Sequence, residues 1–170
     1  VAARTITVTS AAKSHNLAGV RCAVAHVGSS ADLQPFRDVP LSQIGQVSNL
    51  GFLATIAAWD DDDGWLDGFR DAIEARRDQA AAMLADHLPQ VVHVPAEAGF
   101  LAWLDLRPLG LPDRPGDFLA ERALVRANDG SEFGPDGDGW VRLNLATSPQ
   151  VLDEVLARIV TAVDLWRASR

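Results

Sequence analysis

The stretch Ser10-Ala-Ala-Lys-Ser-His-Asn-Leu-Ala-Gly-Val-Arg21 joins two segments whose composition is typical of β-strands. Residues 5–9 alternate and are β-branched, and residues 22–27 form a second apolar run, so both are predicted to be strands. The polar linker between them is too short for a crossover helix, which favours a compact loop and a returning strand. Lys13 is therefore expected at a strand end, a common location for chemistry in α/β sheets.

The amine of Lys13 is unusual in this chain. Of the fifteen basic residues, fourteen are arginine and one is lysine. A bias in base composition explains the arginines, and it would leave lysine mainly where arginine cannot substitute. Arginine stays protonated, whereas a lysine amine can deprotonate and attack a carbonyl. The alternative is a polar turn that carries a solvated lysine.

The order of residues around Lys13 resembles the lysine signature of class I/II aminotransferases, Ser-x-x-Lys-[Ser/Thr]-x-Asn-x-Ala-Gly followed by a basic residue. The resemblance implies that Lys13 carries pyridoxal 5'-phosphate (PLP) and later acts as the base at the substrate α-carbon. Ser10 and Arg21 match the family's phosphate-binding positions, where a hydroxyl and a cation are needed. Asn16 is expected to tie the loop to neighbouring backbone and to help aim Lys13.

A second match lies far along the chain, in Gly130-Ser-Glu-Phe-Gly-Pro-Asp-Gly-Asp-Gly-Trp-Val-Arg-Leu-Asn-Leu-Ala146. It resembles the family's glycine-rich turn followed by the strand Val-Arg-Leu-Asn. The resemblance implies that Arg142 binds the α-carboxylate of an amino-acid substrate, since a planar guanidinium can donate two parallel hydrogen bonds to one carboxylate. The glycines alone indicate only a hairpin turn.

A third match, Glu97-Ala-Gly-Phe-Leu-Ala-Trp-Leu-Asp-Leu-Arg107, is similar to the Pro-Glu-Gly-Thr-Tyr-Leu-Ala-Trp-Leu-Asp stretch of the MalY/PatB-type cystathionine β-lyase branch. Ala96, Ala98, Gly99 and Phe100 depart from that pattern. The Gly-Phe pair is nearer to the Gly-Gly-Phe of many true aminotransferases. For Phe100 and Trp103 themselves, packing in the core is the preferred interpretation.

The remaining chain alternates helical and strand patterns. Residues 65–88 carry apolar positions at helical spacing and Pro89 ends the pattern, which predicts one long helix. Ser30 is a candidate N-cap of a short helix, and Ser148 caps the last helix with Pro149 at its first position. Further helices are predicted over 49–59 and 115–126, and further strands over 91–94, 100–106 and 140–145.

Composition excludes several classes of protein. A net charge of −8 argues against binding to nucleic acid or anionic membranes. No uninterrupted apolar stretch is long enough for a membrane span, and the N-terminus does not resemble a signal peptide.

The single cysteine, Cys22, is expected to be a buried packing thiol in a cytoplasmic, reducing setting. The four histidines lack metal-ligand spacing, and the acidic run at 60–63 does not fit an EF-hand, so no metal site is predicted.

Together the resemblances imply an α/β fold, the C-terminal part of a fold-type I PLP-transferase. The expected organisation is a remnant of the large PLP-binding domain at 1–64, an interdomain helix at 65–89, and a small C-terminal α+β domain at 90–170. The family's N-terminal part supplies the aromatic ring that stacks on the pyridine and the Asp that pairs with its nitrogen. No residue of this chain is assigned to either role, so the 170 residues alone are expected to bind PLP poorly and to be inactive.

Three functions remain open from the sequence. The first is a C–S β-lyase that converts cystathionine or a cysteine conjugate by β-elimination to a thiol, pyruvate and ammonia. The second is an aminotransferase of an α-amino acid, which would use the same residues. The third is a non-catalytic remnant that serves as an interaction domain. Family resemblance also implies a small amino-acid substrate and a homodimer that builds its active sites at the subunit interface.

Overall fold

The computed structural model describes residues 4–60 and 63–170, which divide into two compact units, Val1–Gly68 and Phe69–Arg170. The first unit contains an antiparallel pair of strands, β1 and β2, in which Ile6 lies opposite Val27 and Thr9 opposite Val24. This pairing confirms the predicted strand, loop and returning strand. The elements of this unit are β1 (Ile6–Thr9), β2 (Val24–Val27), α1 (Ser30–Asp38), α2 (Leu41–Ile44), α3 (Asn49–Trp59) and the start of α4 (Trp65–His87).

Two details of the first unit differ from the sequence prediction. The N-cap of α1 is Ser29 instead of Ser30, because the Ser29 backbone is extended and its Oγ accepts a hydrogen bond from the Asp32 amide at 3.1 Å. The short helix α2 was not predicted. In contrast, α3 begins where the pattern indicated, with Ser48 accepting from the Gly51 amide at 3.0 Å.

The first unit leaves much apolar surface exposed. Both faces of the two-stranded sheet are open, and Val8 is 68% exposed. On α3, Leu50 is 71% exposed and Phe52 and Leu53 are also exposed. An isolated two-stranded sheet is marginally stable at best in water, so this unit has little core of its own.

The second unit is built on a four-stranded antiparallel sheet with the order β3-β4-β6-β5. Its strands are β3 (Val92–His93), β4 (Leu101–Asp105), β5 (Asn128–Asp129) and β6 (Trp140–Asn144). Because side chains alternate along a strand, Ala102, Leu104 and Val141 point to the core, while Trp103 and Arg142 lie on the opposite face. The three strands predicted for this unit are confirmed as β3, β4 and β6, whereas β5 was not predicted.

The core of this unit lies between the sheet and two helices, α4 and α6 (Pro149–Ala168). From α4 it takes Ala80 and Leu84, on the apolar stripe that predicted this helix. Ser148 caps α6 through the Val151 amide, and Pro149 occupies the first turn, as predicted. The buried positions of α6 recur at helical spacing: Leu152, Leu156, Ile159, Ala162 and Val163.

The helix predicted over 115–126 is shorter and irregular. α5 (Pro115–Phe118) continues into a π-helical turn, Leu119–Ala123, which ends at Leu124 in a left-handed conformation with φ of 54°. Leu119 and Phe118 are buried, so this segment covers part of the core. No helix among the described residues is both long enough and apolar enough to cross a bilayer.

Gly130 makes a close backbone contact that a side chain would prevent. A Cβ at this position would meet the Gly137 carbonyl oxygen at 2.1 Å. We expect Gly130→Ala to destabilise the protein by about 1–3 kcal/mol, the usual range for overpacking. Gly68→Ala is the matched control, because a Cβ on this exposed helical glycine meets nothing within 4 Å. Denaturant unfolding of both variants tests this, and equal stabilities would contradict it.

His93 predicts a pH dependence of stability. Its Nε2 is buried and has no hydrogen-bond partner among the described residues, and burial lowers the pKa of the imidazole from 6.5. The imidazole is therefore protonated more readily in the unfolded chain than in the folded chain. As a result, the free energy of unfolding falls as the pH drops below 6.5. His93→Gln should flatten this pH dependence of stability, as measured by thermal unfolding above and below pH 6.5. A dependence that stays the same in this variant would contradict the prediction.

Candidate functional site

Lys13 lies in the tight turn that follows β1, and its side chain is exposed. The turn is held from several sides within the first unit. Ala11 is buried, and the Ser14 hydroxyl lies 2.8 Å from His15 Nδ1. The His15 ring stacks on the Trp65 ring, with 5.3 Å between the ring centroids. The backbone that carries Lys13 is therefore anchored while its amine is free to reach a ligand.

Ser10 closes the base of this turn. Its Oγ donates a hydrogen bond to the Cys22 carbonyl at 2.8 Å and accepts one from the Ala12 amide at 3.0 Å. Cys22 is buried and unpaired, as predicted for a packing thiol. Since a hydroxyl has one proton, donation from Ser10 to a phosphate would require it to leave the Cys22 carbonyl.

Arg21 lies at the other end of the same loop. Its backbone is left-handed, with φ of 49°, and its side chain is exposed. Within residues 4–60 and 63–170, neither Arg21 nor Lys13 has a carboxylate partner in an ion pair. Two unneutralised cations and a hydroxyl on one loop suit an anionic ligand with a reactive carbonyl, which is the chemistry of PLP.

Asn16 contributes through its backbone conformation. Its φ is 52°, which asparagine adopts more readily than most other residues. The expected hydrogen bond from its side chain to neighbouring backbone is not seen within the described part of the chain. The turn is instead closed by backbone bonds, including the Leu17 amide to the Ala12 carbonyl at 3.0 Å. A role of Asn16 in aiming Lys13 stays a prediction.

Arg142 lies in the second unit, in the middle of β6 and half-buried. Its Nη2 donates to Asn128 Oδ1 at 3.0 Å, and its guanidinium carbon lies 4.4 Å from the centroid of the Phe133 ring. Its Nε is buried and has no hydrogen-bond partner among the described residues. A buried unpaired donor costs free energy, so this guanidinium is poised to receive an acceptor.

Asp129 fixes the loop between β5 and β6. Its carboxylate is buried and accepts hydrogen bonds from the Gly116 amide at 2.9 Å, the Ser131 amide at 3.2 Å and the Ser131 hydroxyl at 2.6 Å. Burial alone would raise the pKa of this carboxyl, but the bonds from Ser131 and Gly116 outweigh burial and hold the pKa below its usual range. The loop that carries Phe133 is thereby attached to the start of α5.

The prediction that Trp103 packs in the core is wrong. Strand alternation puts its neighbours Ala102 and Leu104 in the core and Trp103 on the opposite face, beside Arg142. The Trp103 ring stacks on the Trp140 ring, with 5.7 Å between the ring centroids, and contacts the Phe133 ring edge-on, with a centroid distance of 5.6 Å. Phe100, which was also placed in the core, is half-buried and lies outside the core cluster.

The sequence did not identify Asn128 and Phe133, two residues that contact the Arg142 guanidinium. Phe133 lies inside the quoted glycine-rich stretch, but the sequence assigned it no role at the site. Asn128 comes just before that stretch, in the strand that was not predicted. Of the residues that the structure describes, no group of three or more His, Cys, Asp or Glu is placed to hold a metal ion.

Comparison with known proteins gives a consistent result. The sequence matches the family described as aminotransferase class I and II over residues 1–159. It is 32% identical to cystathionine β-lyase of Corynebacterium glutamicum and 30% identical to cystathionine β-lyase PatB of Bacillus subtilis, each over 93% of this chain and 42% of the relative. The crystal structure of cystalysin from Treponema denticola, which contains PLP, superposes with a TM-score of 0.90 at 26% identity, covering 96% of this chain and 42% of that one.

The chain thus spans about two-fifths of the length of the curated relatives that it matches. The predicted similarity to the branch with MalY/PatB-type cystathionine β-lyases is confirmed by these relatives. The predicted fold, a C-terminal part of a fold-type I PLP enzyme, is confirmed by the superposed structures.

Proposed function

The chain belongs to the aminotransferase class I and II family of PLP-dependent enzymes, and from this premise we propose that it is the C-terminal portion of a C–S β-lyase. The substrate class is cystathionine or a cysteine conjugate. The observation that carries the proposal is the loop of residues 10–21, which presents the only lysine of the chain on an anchored turn, together with an unneutralised arginine. Relatives named cystathionine β-lyase supply the reaction class.

Each site residue has a defined task in this proposal. Lys13 would hold the cofactor covalently, while Ser10 and Arg21 would bind its phosphate. Arg142 would bind the substrate α-carboxylate. When bound, PLP accepts the electron pair that is left when the α-proton departs. The domain assignment also stays a proposal: most of α4 belongs with the second unit, and the first unit would correspond to part of the large PLP-binding domain.

In this proposal the elimination step would use these residues as follows. The Lys13 amine would take the proton from the substrate α-carbon. The bond between Cβ and sulfur then breaks, the electron pair leaves with sulfur as a thiolate, and a double bond forms between Cα and Cβ. Addition of water to the remaining fragment gives pyruvate and ammonia. Arg142 keeps the carboxylate, and hence the α-proton, in place during this step.

Transamination of an α-amino acid is the second candidate. The specific observation that favours it is the pair Gly99-Phe100, which is nearer to the Gly-Gly-Phe of many aminotransferases than to the Thr-Tyr of the lyase branch. Gly99 has φ of 81°, so its left-handed backbone suits glycine and not threonine. Lys13 and Arg142 would serve this reaction unchanged.

The isolated 170-residue chain is expected to bind PLP weakly and to be inactive. No residue in it is assigned to stack on the pyridine or to pair with its nitrogen, and the open faces of β1 and β2 and the apolar surface of α3 call for a covering partner. We infer that the complete enzyme is a homodimer that shares its active sites across the interface. A cytoplasmic setting stays a prediction.

The test measures two products from the same holoenzyme that carries this chain. Pyruvate release from cystathionine, with glutamate formation from 2-oxoglutarate near background, supports the lyase. The reverse ratio identifies the aminotransferase. No product in either assay, with no visible absorption band from a lysine-bound cofactor, would favour a non-catalytic interaction domain and overturn both enzyme assignments.

A further inference from the structure

The side chains of three residues lie in a row across the sheet of the second unit. Arg142 on β6 pairs with Asn128 on β5 and with Trp103 on β4, so all three occupy the face opposite the core. Directly opposite residues on one face of an antiparallel sheet have their Cβ atoms about 4.5–5.5 Å apart. The guanidinium is therefore flanked by strand neighbours whose positions the sheet itself determines.

Phe133 completes this arrangement from above the row. The Arg142 guanidinium carbon lies 4.4 Å from the Phe133 ring centroid, within the range of a cation–π contact. The Phe133 ring in turn rests edge-on against Trp103, and Trp103 stacks on Trp140. This series of ring contacts ends at Arg107, whose guanidinium carbon lies 5.3 Å from the Trp140 ring centroid. Phe133 thus has a rigid support although it is itself 50% exposed.

The contacts leave a definite set of donors for a ligand. A guanidinium has five N–H groups in one plane. Asn128 accepts from one of them, on Nη2, and the Phe133 ring lies against the guanidinium, with its centroid 4.4 Å from the guanidinium carbon. The Nε–H stays buried and has no acceptor among the residues that the structure describes. A carboxylate in this plane would accept two parallel hydrogen bonds and satisfy a donor that otherwise costs free energy.

We propose that Phe133 and Asn128 are positioning residues that fix the plane of the Arg142 guanidinium for binding the substrate α-carboxylate. The proposal rests on the proposed function, in which Arg142 binds that carboxylate. Asp129 and the contact between Gly130 and Gly137 hold the Phe133 loop in the geometry that the ring contact needs. The two residues act through Arg142 and touch no reacting atom.

The expected effect is on substrate binding more than on turnover. Loss of a cation–π contact in Phe133→Leu should raise KM for the amino acid by about 2- to 30-fold. Loss of a hydrogen bond to a charged group in Asn128→Ala should raise it by roughly 10-fold or more. The kcat should change little, because the contact is made equally in the ground state and the transition state. Phe133→Tyr, which keeps the ring, should recover most of the affinity that is lost in Phe133→Leu.

The experiment uses the PLP-loaded holoenzyme that carries this chain, with two ligands that differ by one group. An S-substituted cysteine is the substrate, and the matching S-substituted cysteamine, which lacks the α-carboxylate, is the competitive ligand. Phe133→Leu should weaken binding of the cysteine compound and leave the inhibition constant of the cysteamine compound unchanged. Phe36→Leu is the matched control, since Phe36 is also 50% exposed and lies on α1 in the first unit. Thermal unfolding of each variant reports on folding.

The outcomes separate this inference from the proposed function. If Arg142→Ala raises KM for the cysteine compound while Phe133→Leu does not, the positioning role is overturned and the proposed function stands. An equal loss for both ligands in Phe133→Leu indicates a merely structural role and also overturns it. If the unsubstituted holoenzyme does not process the cysteine compound, the proposed function and this inference fall together.

Discussion

Lys13→Arg is expected to abolish turnover of cystathionine, with a loss of at least 10²- to 10⁴-fold, the typical contribution of a positioned acid–base group. Arginine keeps the positive charge and most of the length of the side chain. It cannot give up its proton under ordinary conditions, so it can neither hold the cofactor covalently nor take the α-proton. Because Lys13 is exposed on an anchored turn, the substitution should leave the free energy of unfolding within about 0.5 kcal/mol.

Mapping the attachment site gives a second measurement that does not depend on activity. Borohydride reduction of the PLP-loaded protein should fix the cofactor to one peptide, and within this chain the only lysine is Lys13. Arg37→Lys is a useful control because it adds a second exposed lysine on α1, remote in sequence from the loop. Label at position 13 alone supports a site, whereas equal label at positions 13 and 37 would show that Lys13 is an ordinary solvated lysine.

Local patterns predicted those parts of the fold that depend on neighbours in sequence. The strand, loop and returning strand around Lys13 follow from β-branched alternation and a short polar linker. The helix α6 follows from an N-cap, a proline and an apolar stripe. In each case the physical cause lies within a few residues of its effect, so a single sequence suffices.

The surroundings of Arg142 could not be predicted in the same way. Strand β5 has only two residues and exists because Asn128 and Asp129 pair with β6, a tertiary contact with no periodic signature. Phe133 reaches Arg142 because the chain before β6 forms two short 3-10 turns, Gly130–Phe133 and Pro135–Gly137. The shape of these turns depends on the close backbone contact between Gly130 and Gly137. The position of Trp103 could have been predicted, because Asp105, two residues later, indicates that this face of β4 is polar.

Arg142→Ala is expected to lower kcat/KM for an amino-acid substrate by roughly 30- to several-thousand-fold, equivalent to about 2–5 kcal/mol for truncating one partner of a buried charged hydrogen bond. Most of this loss should appear in KM, because the carboxylate is held in the ground state as well as in the transition state. The cysteamine ligand, which lacks the carboxylate, should bind the variant as well as it binds the unsubstituted protein.

Arg142→Lys distinguishes shape from charge. A lysine ammonium is a point charge that cannot donate two parallel hydrogen bonds in one plane, and it would sit less well over Phe133. We therefore expect it to recover only part of the loss seen in Arg142→Ala. Arg158→Lys is the matched control, because Arg158 is exposed and pairs with Glu154 on the surface of α6, where an ion pair is worth about 0–1 kcal/mol. If Arg142→Lys binds the amino acid as well as the unsubstituted protein does, charge alone suffices, and the planar geometry provided by Asn128 and Phe133 has no role in recognition.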